Sequence, residues 1–245
     1  MSHSTNMKWG ALASRVSQRY FPVLLILWIL FVLYPNPSNL IISVQRAFSP
    51  EVDPGAVESM LQYLPSDPAA IETIVLEKIP YHYDWEVHGM PWYFPTVEQV
   101  LGKREGDCKA RALVLASILE AKNIPYRINY SPIHMWVEYE GKAETSIENP
   151  KVKFFQRDPK TGKRLFRIPE IELGEAVHSI WQSFWNPMPD GRRALLISGL
   201  VVLVVVRVIL FQKKRAAKHR WRKAIDYAVD QSPQDKTNKS LEMPS

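Results

Sequence analysis

The feature that most constrains this chain of 245 residues is an uninterrupted apolar segment near its C-terminus. Residues 194–211 read ALLISGLVVLVVVRVILF, with no acidic residue and with Arg207 as the one charge. As an α-helix that rises about 1.5 Å per residue, the segment covers about 27 Å, close to the ~30 Å apolar thickness of a bilayer. Arg207 lies near the basic end, where its guanidinium can reach the membrane interface. The segment therefore predicts a transmembrane helix rather than a helix buried in a protein core.

A second apolar segment lies near the N-terminus, where residues 20–34 read YFPVLLILWILFVLY. Its length also suits the apolar region of a cleavable secretory signal. The residues that follow, PNPSNLIISVQRAF, offer no clear pattern of alternating small residues for cleavage. We therefore interpret residues 20–35 as an uncleaved transmembrane helix, with a cleaved signal as the alternative.

The formal net charge of +6 is unevenly distributed along the chain. Residues 1–35 hold three basic and no acidic side chains, residues 36–193 hold 18 basic and 21 acidic ones, and residues 194–245 hold 10 basic and four acidic ones. The mildly acidic central part argues against nucleic-acid binding, which needs a basic face.

Lys and Arg collect on the cytoplasmic side of membrane proteins, and here they flank the two apolar segments. We therefore predict an integral protein of the inner or plasma membrane with both termini in the cytoplasm. The predicted parts are a cytoplasmic N-terminus (1–19), two spans (20–35 and 194–211), a linker (36–55), an extracytoplasmic domain (56–193) and a basic cytoplasmic tail (212–245).

Within the domain, helical patterns come first and strand patterns follow. Helices are predicted at about 68–78, from 96 to 103 and at 108–122, and strands at 126–130, 134–139, 144–148 and 152–156. Helices followed by an antiparallel sheet indicate an α+β fold.

Cys108 is the one cysteine of the chain, so no disulfide can form within it. It lies at the first turn of a predicted helix, where the helix dipole favours a thiolate. His134 starts a following strand and can take the thiol proton, and a polar residue near 148–149 can orient the imidazole. A free thiol outside the cytoplasm is exposed to oxidation, which favours a use for it over the alternative of a buried, inert cysteine.

Two segments carry a family resemblance. Residues 95–128, PTVEQVLGKREGDCKARALVLASILEAKNIPYRI, resemble the core of the transglutaminase-like superfamily, and His134-Met135-Trp136-Val137-Glu138 is similar to the His-x-Trp-x-Glu segment of that family. The resemblance covers about residues 68–156. It implies a papain-like α+β core, in which N-terminal helices precede an antiparallel sheet, with Cys108 as nucleophile and His134 as base.

The sequence departs from the family pattern at two places. The family often has an acidic residue shortly after the cysteine, where this chain has Lys109-Ala110-Arg111. The third catalytic residue is usually Asp, where this chain reads Ile147-Glu148-Asn149-Pro150. Glu148 keeps a carboxylate and Asn149 keeps the following proline, so both are candidates. Trp92 is a candidate donor to an oxyanion through its indole N–H, with a packing role as the alternative.

These residues predict acyl transfer from an amide through a thioester on Cys108. Water as acceptor gives a protease or amidase, which the resemblance favours, and an amine gives a cross-linking enzyme. The alternative is a non-catalytic module that binds peptide or polysaccharide, or that scaffolds a membrane complex. The expected partners are a protein or peptide substrate outside the cytoplasm and membrane lipid. No cofactor is expected, and no metal, because paired Cys or His at ligand spacing are missing from the sequence.

Overall fold

The computed structural model describes residues 20–131, 134–145, 148, 153–157, 164–166, 174, 177–178 and 181–230. The chain divides into two compact units. One comprises residues 1–29 and 194–245, and the other comprises residues 30–193. The expected N-terminus (1–19) and the last 15 residues of the expected tail lie outside the described residues.

The C-terminal apolar segment forms part of the longest helix. We number the α-helices α1 to α7 in chain order, and α7 spans Asp190–Asp230 without a break, so the basic tail continues the helix. Its portion Asp190–Ala228 is long and apolar enough to cross a membrane, and only 6% of its most apolar 18-residue stretch is buried. A core helix of this composition would be mostly buried. Among the described residues, α7 is therefore the one helix that is by itself long and apolar enough to be a candidate span.

The N-terminal apolar segment forms helix α1, Tyr20–Leu33. This helix reaches the length of a span only if it is joined to α2, Pro37–Phe48, and the chain bends by 83° between the two. The bend has a local cause: Pro37 occupies the first turn of α2, and the Asn36 side chain caps that helix by accepting from Ser38 N at 3.1 Å. The second of the two expected spans therefore stays a prediction.

Residues 36–55, which we expected to be a linker, hold helix α2. It is bonded to the domain through the backbone of Phe94, whose N–H donates to Ser43 Oγ and whose carbonyl accepts from Arg46 Nη1, both at 3.1 Å. Asn36 and Pro37 are a local signal of a helix start that the linker interpretation overlooked, whereas the contact with Phe94, about 50 residues away, could not be predicted from local sequence. A 3₁₀ helix, Gly55–Tyr63, follows.

The remaining helices of this unit surround α6, Cys108–Ala121. They are α3, Pro68–Lys78, α4, Asp84–His88, and α5, Val97–Lys103. Helix α6 is buried almost all round, from Lys109 to Leu119, and it forms the centre of the apolar core. The expected helix of residues 68–78 is confirmed, with Asp67 as its cap at 2.8 Å from Ala70 N.

The strands form one antiparallel sheet in the order β2-β1-β3-β4. Their bounds are Tyr126–Tyr130 for β1, Met135–Tyr139 for β2, Phe155–Arg157 for β3 and Arg164–Phe166 for β4. The α+β class is therefore confirmed. The strand expected at 144–148 is wrong for the residues described there: Thr145 Oγ1 accepts from Glu148 N at 3.1 Å and closes a short turn. β3 pairs directly with β1 and takes the place that this strand would have had.

Candidate active site

Gly106 fixes where helix α6 begins. Its N–H donates to Pro80 O and its carbonyl accepts from His82 N, each at 3.2 Å, which holds the turn against the preceding segment. A Cβ at Gly106 would lie 2.4 Å from the Ala110 Cβ, closer than carbon atoms can approach. Only glycine therefore lets this turn lie against the first turn of α6.

Cys108 is the first residue of α6, and its thiol is free and partly buried. The Asp107 carboxylate caps the helix by accepting from Lys109 N at 3.0 Å and from Ala110 N at 3.4 Å. Of the three N–H groups in the first turn, the Asp107 side chain accepts from those of Lys109 and Ala110 but not from that of Cys108. An N–H in that position can donate to an oxyanion that forms beside the sulfur.

The His134 imidazole lies between Cys108 and Glu148. Its Nε2 is 2.8 Å from Glu148 Oε1, and the ring also makes a hydrogen bond with Cys108. Burial by itself would lower the pKa of His134, but these two hydrogen bonds, and the negative charges of the same partners, raise that pKa to about 9. The Trp136 ring stacks on the imidazole at 5.8 Å between centroids and limits its rotation.

Glu148 is held in place by Lys142. Lys142 Nζ is 3.0 Å from Glu148 Oε2 and 2.5 Å from Glu72 Oε1. Burial alone would raise the pKa of Glu148, but the hydrogen bond with His134 and the charge of Lys142 lower it, so the carboxylate stays ionised. Of the two candidates for the orienting residue, the structure brings Glu148 to His134, and Asn149 lies outside the described residues.

Two cavities lie on either side of the Cys108–His134 pair. The larger, about 460 Å³, is lined by a mixture of aromatic and polar residues, with Trp92 and Tyr83 among the aromatic ones. The smaller, about 160 Å³, extends towards Glu72 and Glu148. Both are lined by a shared set of residues, namely Tyr81, Cys108, His134 and Met135. We call the larger cavity the cleft. Trp92 belongs to its wall, and its role as an oxyanion donor stays a prediction.

A buried group of charges lies directly beside Cys108. Lys109 Nζ is 2.9 Å from Asp84 Oδ2 and also contacts the Asp107 carboxylate, and all three side chains are buried. Burial raises the pKa of Asp84 to about 6 although Lys109 opposes the shift. Burial by itself lowers the pKa of Lys109, but Asp107 and Asp84 raise it, so this cation keeps its charge.

Sequence reasoning missed Lys142 and the charge group. No sequence motif singles out Lys142, and Lys109 enters the sequence analysis only as a departure from the family pattern. The partners that give these residues their roles are distant in sequence: Lys142 is 70 residues from Glu72, and Lys109 is 25 residues from Asp84. No short motif contains such a pair.

Comparison of the chain with protein-family models, with curated proteins and with solved structures finds no match. The interpretation of the site therefore rests on its geometry. Among the described residues, no group of three or more His, Cys, Asp or Glu side chains has the arrangement of a metal site.

Proposed function

We propose that this protein is a membrane-anchored cysteine enzyme of the transglutaminase-like type that transfers the acyl group of an amide through a thioester. One observation carries the proposal: the His134 imidazole lines both cavities together with Cys108, and its Nε2 is 2.8 Å from Glu148 Oε1. A thiol, a base and a carboxylate in that order are the parts of a nucleophilic cysteine centre.

In the first step, His134 takes the proton of the Cys108 thiol. The thiolate sulfur then bonds to the carbonyl carbon of the substrate, and the carbonyl electrons move to its oxygen. The Cys108 N–H at the start of α6 donates to this oxyanion, with Trp92 as a second candidate donor. When the oxyanion collapses, the C–N bond breaks, and the amine leaves with the proton that His134 returns.

In the second step, His134 takes a proton from the acceptor, which attacks the thioester carbonyl, and the sulfur leaves as a thiol. Water as the acceptor releases a carboxylic acid, and an amine forms a new amide. We propose hydrolysis as the main outcome, which makes the protein a peptidase or amidase. The cavities on both sides of Cys108 support an extended substrate that passes over the sulfur.

The proposed setting is a domain outside the cytoplasm, held by two spans. Helix α7 is the better supported of these, since it has the length and composition for a membrane. Seven Lys or Arg side chains between residues 213 and 223 follow its apolar part, which supports a cytoplasmic C-terminus. Helix α1 is the proposed second anchor, with the N-terminus also inside.

Labelling with a peptidyl acyloxymethyl ketone tests the function, because this reagent reacts with activated cysteine nucleophiles through loss of a carboxylate. Membranes that carry the full chain are labelled beside the Cys108→Ala and His134→Ala variants. We expect labelling of the wild type, none in Cys108→Ala and a strong reduction in His134→Ala. Equal labelling of wild type and His134→Ala would favour a non-catalytic binding module instead.

A further inference from the structure

Helix α2 has an apolar face that the described part of the domain does not cover. Ser43 and Ala47 face the domain, whereas Ile41, Val44 and Phe48 are 60%, 41% and 56% exposed. These three residues are spaced by three and four positions and therefore form one stripe along the helix, next to the side that faces the domain. A stripe of this kind marks an interaction surface.

The position of α2 in the chain indicates what meets this stripe. The helix starts four residues after the end of the apolar helix α1, and the chain bends by 83° between them. If α1 crosses a membrane, α2 runs close to the membrane plane. A helix in that plane buries its apolar stripe at the boundary between headgroups and acyl chains.

A second segment has the composition of a membrane interface. Residues Trp181–Trp185 form a single helical turn shortly before α7, the candidate span. Trp181 is 55% exposed and stacks on Trp185 at 5.6 Å, and the Arg193 guanidinium lies 5.9 Å from the Trp185 ring. Trp collects at the headgroup level of membranes, and Arg side chains reach towards it.

Both segments also form part of the cleft. Ala47 of α2 and Gln182 and Ser183 of the helical turn line it together with Cys108. Phe184 anchors the turn to the domain by an edge contact with Trp85 at 6.3 Å. The two segments with the composition of a membrane interface are therefore the same ones that line the cleft beside the thiol.

We infer that α2 and the turn Trp181–Trp185 lie in the interfacial layer of the bilayer, and that the cleft opens beside this layer. The amide substrate is then a peptide with a lipid or another membrane anchor, which reaches Cys108 along the membrane surface. The interfacial placement is independent of the catalytic proposal, whereas this substrate class rests on the proposed function.

Fluorescence quenching in membranes tests the placement. The full chain with Cys108→Ser is reconstituted into phosphatidylcholine vesicles that contain acyl-chain spin-labelled lipid, and a fluorophore is attached at Val44→Cys or Phe48→Cys. We expect strong quenching at both positions. The matched control is Tyr63→Cys, which is 80% exposed at the end of the 3₁₀ helix and should be quenched little. Equal quenching at all three positions would overturn the placement.

Alkylation in the same vesicles tests the substrate class. A chloroacetamide with a palmitoyl chain is compared with one that carries a short polar group, and each forms a thioether as chloride leaves. For each cysteine we take the rate with the palmitoyl reagent divided by the rate with the polar reagent. We expect this ratio at Cys108 to be about tenfold or more above the ratio at Tyr63→Cys in the Cys108→Ser background. The reason is that a shared membrane raises the effective concentration of the palmitoyl reagent at the cleft. Equal ratios would overturn the substrate class.

The two proposals fail in different ways. If Cys108 in the wild type reacts no faster with either reagent than it does in His134→Ala, the proposed enzyme is wrong, and the quenching result still decides where α2 lies. If His134 accelerates both reactions but the ratios are equal, the enzyme stands and its substrate is not bound to the membrane.

Discussion

The His134 imidazole has two hydrogen-bond partners that both favour its protonated form. Glu148 offers a carboxylate at 2.8 Å, and Cys108 offers a sulfur that becomes negative when it loses its proton. The pKa of His134 is raised to about 9, so at neutral pH the ring carries a positive charge next to the sulfur. A charge in this place stabilises the thiolate, which is the nucleophilic form of cysteine.

The first prediction concerns the alkylation rate of Cys108. His134→Ala removes the cation, so iodoacetamide should react with the full chain at pH 6 at least ~10-fold more slowly, a loss of about 1.4 kcal/mol of thiolate stabilisation. Because Cys108 is the one cysteine of the chain, mass spectrometry of the whole protein gives the rate directly.

Glu148→Gln and Asn149→Ala form a matched pair in the same assay. If Glu148 orients the imidazole, its variant should slow the reaction and Asn149→Ala should leave it nearly unchanged. The reverse order would transfer the orienting role to Asn149. An alkylation rate that is the same in His134→Ala and in the wild type would contradict the pairing itself.

The second prediction follows from the sign of the His134 shift. With Cys108→Ser no thiol proton can pass to the ring, and the Glu148 carboxylate at 2.8 Å still acts to raise the pKa of His134 in the folded state. The contribution of this pair stabilises the fold fully below pH 6.5, the pKa of the unfolded state, and disappears as the pH rises through the folded-state pKa. The melting temperature of this variant in detergent should therefore fall over that interval. When His134→Ala is added the fall should be smaller, and an identical fall in both proteins would contradict the assignment.

The family resemblance predicted which residues meet Cys108, but not what holds them there. The spacing of Cys108 and His134 is weak evidence by itself, and the segments around them singled them out. The structure places both side chains in the walls of the same two cavities. Lys142 could not be predicted, because its partners Glu72 and Glu148 come from a helix and from a loop. Composition carries no information on such long-range pairs.

At the scale of elements, the contact between the Gly106 turn and α6 sets the direction in which Cys108 points. The third prediction is that Gly106→Ala lowers the free energy of unfolding by about 1–3 kcal/mol, the usual cost of overpacking, and also slows the alkylation of Cys108. The added Cβ would lie 2.4 Å from the Ala110 Cβ and would push the helix start away. Urea unfolding followed by tryptophan fluorescence measures the change.

Gly102→Ala is the control for this substitution. A Cβ at Gly102 meets nothing within 4 Å, and the position lies in helix α5, so alanine should be neutral or should stabilise the fold by roughly 0.5–1 kcal/mol. Adding Ala110→Gly to Gly106→Ala removes the clashing methyl group and should restore much of the alkylation rate. A double variant no faster than Gly106→Ala alone would show that another contact is responsible.

The fourth prediction concerns the link between α4 and α6. Lys109→Met leaves the carboxylates of Asp84 and Asp107 buried without their cation, so the free energy of unfolding should fall by about 3–5 kcal/mol at pH 7. The loss should be smaller at pH 5, because the pKa of Asp84 is already raised to about 6 and a proton then replaces the missing charge. A loss that does not depend on pH would mean that packing, rather than charge, is the cause.

Local patterns predicted the elements that are stabilised by their own residues. The cap at Asp67 and the proline after it marked the start of α3, and strand β1 follows the alternation of its residues. Helix α2 has the same kind of signal, the Asn36 cap followed by Pro37, but the segment was interpreted as a linker, and only its two hydrogen bonds to Phe94 lie beyond the reach of local sequence. The strand expected at 144–148 was wrong because the strand that pairs with β1 is β3, which comes later in the chain.

At the scale of the whole molecule, two facts about charge and length bear on topology. The helix α7 extends for 41 residues, so its apolar part and its basic part belong to one helix. Seven basic side chains follow the apolar part, at 213–215, 218, 220, 222 and 223, whereas Arg192 and Arg193 precede it. The larger basic cluster belongs on the cytoplasmic side, so the folded domain before α7 should lie on the other side.

The last prediction uses the single cysteine to test this topology. In intact cells that express the chain, a membrane-impermeant maleimide should label Cys108, because the thiol lines the cleft and the predicted topology places the cleft outside the cytoplasm. In a Cys108→Ser background, Ala217→Cys lies on the exposed surface of α7 within the basic cluster and should be labelled only after the cells are permeabilised. The two positions are matched, since one reagent and one assay report on the domain through Cys108 and on the basic tail through Ala217→Cys. Labelling of Ala217→Cys in intact cells, with Cys108 protected, would reverse the topology and would place the thiol in a reducing compartment. The chemistry at Cys108 and His134 would be unchanged in that case, but its amide substrate would then have to be a cytoplasmic one.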